Sequence, residues 1–151
     1  MNLKISTLVM GHHHNVMKGF TRDLFERLTP PGVKVDLVRF DGSETGDVVH
    51  LQLKMPFFPP QNWISEITNH GSNETRSWFV DTGTVLPWFL GAWEHHHRVE
   101  QHGPNCLIID DINFRAASWI PDVLLYPILW IQFAGRRSVY RQYFGFPSST
   151  D

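Results

Sequence analysis

Cys106 is the one cysteine among 151 residues, which excludes an internal disulfide and a cysteine-built zinc cluster. That usage suits a reducing compartment, and a cytoplasmic location is expected. Charge of either sign is not in excess: 13 Lys and Arg stand against 15 Asp and Glu, a formal charge of -2. Without a clustered cationic surplus there is no footprint for a nucleic-acid backbone, so no nucleic-acid partner is expected. Long apolar runs are missing as well. The richest stretch, residues 123–131, contains Pro127 and falls far short of the roughly 20 residues that cross a bilayer, so it reads as a buried helix and not a membrane span. The opening residues, Met1 to Ser6, alternate polar and apolar and lack the continuous apolar core of a signal peptide. There is no nucleophile motif, dinucleotide fingerprint or phosphate-cradling loop, since Gly42 and Gly46 merely flank a hairpin connector. No cofactor is expected.

Aromatic residues, by contrast, are plentiful: six Trp, eleven Phe and three Tyr, spread along the chain. Large flat side chains fill cores, and they also line cavities for apolar ligands. At this length, with 42% hydrophobic and 19% charged residues, the chain is expected to form one soluble domain over 1–151, with an ordered core to 144 and a frayed tail from 145 to 151.

Near period-two alternation from Leu3 to Val9 predicts a first strand ending at Gly11. Phe20, Leu24, Phe25 and Leu28 share one helical face, with Thr21 as N-cap and Thr29-Pro30-Pro31-Gly32 as the stop. Six further strands follow, over 33–40, 47–54, 63–68, 77–84, 92–100 and 107–115, separated by turn-rich connectors and expected to pair as a meander. A long helix is predicted from Ser118 to Phe144, capped by Ser118. Its first half is apolar nearly all round and so is expected to be enclosed on most of its surface. The economical fold is α+β, a curved antiparallel sheet wrapped around the C-terminal helix.

Several segments, read in order, carry a family resemblance: Leu28-Thr29-Pro30-Pro31-Gly32-Val33-Lys34-Val35, Gly46-Asp47-Val48-Val49-His50-Leu51, Phe79-Val80-Asp81, Trp93-Glu94-His95-His96-His97-Arg98 and Asp110-Asp111-Ile112-Asn113-Phe114. Together they resemble the ligand-binding branch of the SRPBCC superfamily, the START-like, helix-grip group that includes polyketide cyclases and dehydrases. The resemblance implies a cavity between concave sheet and C-terminal helix for lipid-, polyketide- or aromatic-like molecules, and no single activity. His12-His13-His14 is not part of that pattern; beside Gly11 it reads as a solvated turn.

Strand alternation supplies the candidate site. Trp93, His95, His97 and Val99 share one face of their strand, and Ile108, Asp110, Ile112 and Phe114 share the matching face of the next. A buried carboxylate needs a partner, so Asp110 is predicted to contact His95 or His97. That contact reads first as self-contained core polarity, then as a polar anchor for a ligand, and last as a catalytic pair with His as general base. Trp63, Phe79, Asp81, Trp93, Phe114 and Trp130 complete the candidate wall, ordinary core packing being the alternative for each. Arg76 or a backbone amide is expected to satisfy Asp81. No metal is expected, because within each His triplet the middle ring points away; His95 and His97 could share an ion only with a third ligand from Asp110, His50 or another strand. Cys106 reads as structural. The apolar C-terminal helix and the Trp88-Phe89-Leu90 loop offer a further reading as a homodimer or membrane-surface contact.

Overall fold

The computed structural model describes residues 1–30 and 32–149, so Pro31 of the predicted helix stop and Thr150 and Asp151 of the tail lie outside the described residues. Seven strands form one antiparallel sheet: β1 (Asn2–Met10), β2 (Lys34–Phe40), β3 (Val48–Lys54), β4 (Gln61–Ser72), β5 (Arg76–Val85), β6 (Leu90–His102) and β7 (Asn105–Ala116). Spatial order is β1-β7-β6-β5-β4-β3-β2. Strands two to seven therefore run as the predicted meander, and the first strand closes the far edge against the last. Register shifts at Leu37/Arg39, Ile64/Ser65, Ile67/Asn69 and Leu90/Ala92 insert unpaired residues that bend strands and increase their twist. The result is the expected curled sheet with the long helix α3 (Asp122–Phe144) against its concave face.

The core has two parts. Near one end of the helix, Val9, Leu24, Ile67, Val99, Ile108 and Tyr140 pack together. Toward the other end, Leu3, Ile5, Trp93, Ile112, Leu129 and Phe133 form a second cluster. On α3 the buried positions are Leu125, Leu129, Phe133 and Tyr140, a narrow stripe near the 3.6-residue period.

Five local expectations need correction. Residues 12–14 are not a solvated turn: Gly11, at φ 121, turns the chain into helix α1 (His13–Lys18), whose N-cap is His12. His13 is fully buried, its Nδ1 2.8 Å from Ser77 Oγ and its Nε2 3.1 Å from Glu74 O. A carbonyl can only accept, so Nε2 carries the proton and Nδ1 accepts from the serine hydroxyl. Thr21 does hold the N-cap position of α2 (Arg22–Arg27), but its side chain makes no capping bond. The C-terminal helix begins at Asp122 after Pro121, not at Ser118; Asp122 Oδ1 accepts from Ala116 N at 2.7 Å and so ties the helix start to the end of β7. The start of the tail is also anchored: Asn105 Nδ2 donates to Ser148 O at 2.9 Å and Ser148 N donates back to Asn105 Oδ1 at 2.8 Å.

The fifth correction concerns enclosure. Val123, Leu124, Ile128 and Ile131 are each more than 60% exposed, so the first half of α3 is apolar all round without being covered all round. The sheet curls over one stripe of the helix only. Among the described residues, no helix is long and apolar enough to cross a membrane.

Candidate functional site

Between sheet and helix lies a cavity of about 420 Å³. Its sheet wall comes from alternate residues of neighbouring strands: Val49 and Leu51 of β3, Trp63, Ser65 and Ile67 of β4, then Phe79 and Asp81 of β5. Trp93, His95 and His97 of β6 continue it, and Leu125, Leu129, Phe133 and Arg136 of α3 close the other side. Leu124 and Ile128 line the same space while being 62% exposed, so the cavity opens beside the helix through an apolar rim.

Polar groups on the wall are joined into one network. The β5–β6 register sets Asp81 opposite His95 and Phe79 opposite His97, with the Phe79 and His97 rings stacked at 4.1 Å. His97 Nε2 lies 2.9 Å from Asp81 Oδ2, and Trp93 Nε1 donates to Asp81 Oδ1 at 3.0 Å. His95 Nε2 is 2.9 Å from Asp110 Oδ1, while its Nδ1 is 3.5 Å from Asp81 Oδ2. Behind them Tyr140 OH donates to Asp110 Oδ2 at 3.3 Å, and Arg136 Nη1 comes within 3.8 Å of Asp110 Oδ1. Within this network His97 Nδ1 and Arg136 Nε and Nη1 are buried without a hydrogen-bond partner.

Electrostatics follow from that arrangement. Burial pushes His97 down to about 4, helped by the neighbouring His95 and opposed by Asp81, so its ring is neutral at neutral pH and Nε2–H donates to Asp81. Burial by itself would raise both acids. The hydrogen bond from His97, the charge of His95 and the Trp93 donor instead hold Asp81 below its ordinary value. The His95 bond, His95 charge and Arg136 bring Asp110 down to about 2. Tyr140 is raised, by burial and then by the Asp110 charge. Both carboxylates are thus ionised in a mostly apolar surround.

Of the residues singled out in the sequence, Trp63, Phe79, Asp81, Trp93, His95 and His97 meet at the cavity wall. Asp110 does contact His95, as predicted, but it stands behind the two imidazoles and does not line the cavity. Phe114 is buried in the second core cluster, beside Tyr126. Trp130 lies on the outer side of α3, 46% exposed; as the residue between Leu129 and Ile131 it is rotated off the stripe that meets the sheet. Arg76 does not serve Asp81, since its guanidinium stacks on Trp78. His50 bonds Asn62 and stands apart from the network. Sequence reasoning passed over Arg136 and Tyr140. Their signal was spacing: with Phe133 they continue the buried stripe by steps of three and four residues.

No protein-family model matches the sequence, and no curated protein matches it either. Solved structures do match in shape. The aromatase/cyclase ZhuI from a Streptomyces species is similar at TM-score 0.64 and 14% identity, over 95% of this chain and 93% of that one. Norcoclaurine synthase from Thalictrum flavum aligns at TM-score 0.63 and 10% identity, over 94% and 84%. The protein Ara h 8.0201 aligns at TM-score 0.63 and 13% identity, over 95% and 97%. The architecture is therefore the helix-grip fold that these proteins share, which is the fold implied by the resemblance read from the sequence. At such identities the likeness is one of fold.

Proposed function

We propose that the protein binds or carries a small hydrophobic molecule, lipid-, polyketide- or aromatic-like, between the sheet and α3. The observation that carries this reading is the cavity of about 420 Å³, an interior left unfilled by a chain rich in large aromatic side chains. Well-packed interiors leave few voids larger than a water molecule, whereas ligand cavities run from roughly 300 to 1,000 Å³ and place a few polar groups on an apolar wall. Trp63 and Trp93, edge to face at 4.7 Å, supply flat apolar surface. Asp81, His95, His97 and Arg136 supply the polar end that fixes orientation.

A second reading is a cyclase- or dehydrase-type enzyme in which His95 or His97 acts as general base with an Asp partner. The cavity-facing imidazoles favour it. Against it, His97 spends Nε2 on Asp81, Nδ1 is buried, and a ring pushed down to about 4 is a weak base.

Native mass spectrometry of protein purified from its own host tests the first reading. A co-purified apolar compound, displaced by an apolar fluorescent probe that binds one per chain, is the expected result. A chain that carries nothing and takes up no probe at any concentration short of aggregation overturns it. Turnover of a polyketide-like substrate, lost in His97→Gln, would decide for the enzyme.

A further inference from the structure

His95 sits between two carboxylates, with one at each of its ring nitrogens. Asp110 Oδ1, at 2.9 Å, accepts a proton from Nε2. His95 Nδ1 faces Asp81 Oδ2, 3.5 Å away. A proton or a metal ion placed between those two atoms satisfies both of them in this buried site. On the other side of the same oxygen stands His97 Nε2, at 2.9 Å. One ligand atom each from Asp81, His95 and His97 lie within 4.8 Å of one another.

We propose that Asp81 Oδ2, His95 Nδ1 and His97 Nε2 form a binding site for a divalent cation of the zinc type at the polar end of the cavity. Metal–ligand bonds of about 2.0–2.1 Å place the ligand atoms of a tetrahedral site roughly 3.3 Å apart, and the 3.5 and 2.9 Å separations bracket that spacing. Two imidazoles with one carboxylate suit zinc and its neighbours in the transition series better than magnesium or calcium, which take oxygen shells.

Supporting contacts around the three ligands match what metal-bound residues need. A ligating His ordinarily donates its other nitrogen to a carboxylate, and His95 does so to Asp110. The ligating carboxylate is itself held, by Trp93 Nε1 on Oδ1. His97 Nδ1, which has no partner, takes up the ring proton when Nε2 turns to the metal, and Asp110 Oδ1 lies 3.7 Å away to receive it. Asp81 and Asp110 bring two carboxylates to the site, opposite-charge partners for a bound cation. All three ligands line the cavity, so an oxygen of a bound molecule can complete the shell; that clause alone rests on the ligand-binding reading.

Cobalt alone, added to the intact, untagged, chelator-treated chain, tests the site apart from any organic ligand. Expected are one cobalt per chain with visible d–d absorption, displacement by zinc, and a raised thermal midpoint. Asp81→Asn should abolish the absorption, and Asp110→Asn should weaken binding roughly 10–100-fold. Replacing both exposed rings of the surface triplet, His12→Gln with His14→Gln, should change nothing. Should Asp81→Asn fail to fold by circular dichroism, His97→Gln takes its place with the same expected loss. Absorption that survives both cavity substitutions, or that vanishes with the surface pair, overturns the proposal. So does an intact chain that takes up no cobalt or zinc, for a proton then bridges His95 and Asp81.

Discussion

Asp110 lies directly opposite His97 in the β6–β7 register, yet its short hydrogen bond comes from His95, two residues further along the strand. The diagonal places one carboxylate beneath both rings, with His97 Nδ1 at 3.7 Å and Tyr140 OH within 3.4 Å of either oxygen. Removing it strands two buried donors at once, His95 Nε2 and Tyr140 OH. Asp110→Ala is expected to destabilise the fold by about 3–5 kcal/mol in urea titration. Asp110→Asn, which keeps an acceptor for His95 Nε2, should lose clearly less.

Two of the depressed groups, His97 and Asp110, predict how stability falls in acid. His97 drops from 6.5 in the unfolded chain to about 4 in the fold, so the unfolded state binds the extra proton first. Stability therefore declines as pH falls below 6.5 and levels near 4, by about 3 kcal/mol in all. Asp110, at about 2 against 3.8, contributes stability above 3.8 that is lost as pH falls toward 2. His97→Gln should flatten the first decline and leave the second, as read by chemical denaturation across pH.

Period-two alternation made the site legible: Trp93, His95 and His97 could be placed on one face, and Asp110 against them, before any coordinates. What alternation cannot give is the depth of a residue behind its neighbours. Asp110 and Phe114 share the inner face of β7, yet α3 and the imidazoles cover them, and the cavity begins one strand over, on β6, where Trp93, His95 and His97 stand. The histidine triplet at 12–14 was misread because a six-residue helix with Val16 and Met17 as its apolar residues shows no periodicity; its burial comes from Ser77 and Glu74, far along the chain.

Space is the property that separates a ligand cavity from a core. Ser65 is buried on β4 and borders the cavity, whereas Val99 is wholly enclosed in the first core cluster. Val99→Phe should cost about 1–3 kcal/mol of stability through overpacking. Ser65→Phe, with room for its ring, should cost well under that, and should weaken an apolar fluorescent probe by about tenfold or more, about 1.4 kcal/mol. Equal losses of stability for the two variants would mean that the cavity does not exist in solution.

Cys106 is completely buried in the first cluster, and burial raises its thiol to about 11. A disulfide reagent attacks thiolate, so at pH 8 the folded protein should label orders of magnitude more slowly than the urea-unfolded chain. Its slow labelling rate then reports opening of β7 against β1. Rapid labelling in the native state would show that this end of the sheet is open.

Two leucine-sized residues two positions apart on α3 test how the sheet holds the helix. Leu129 is buried in the second cluster and Ile131 is 62% exposed. Leu129→Ala should cost about 2–5 kcal/mol, Ile131→Ala no more than about 0.5 kcal/mol. Near-equal losses would mean that something covers the outer face in solution. A second copy is the simplest cover, because Val123, Ile128 and Ile131 would meet their own counterparts across a two-fold axis. Light scattering over a concentration series then distinguishes the cases: a monomeric mass at all concentrations goes with the unequal pair, a doubled mass that Ile131→Glu returns to one goes with the equal pair.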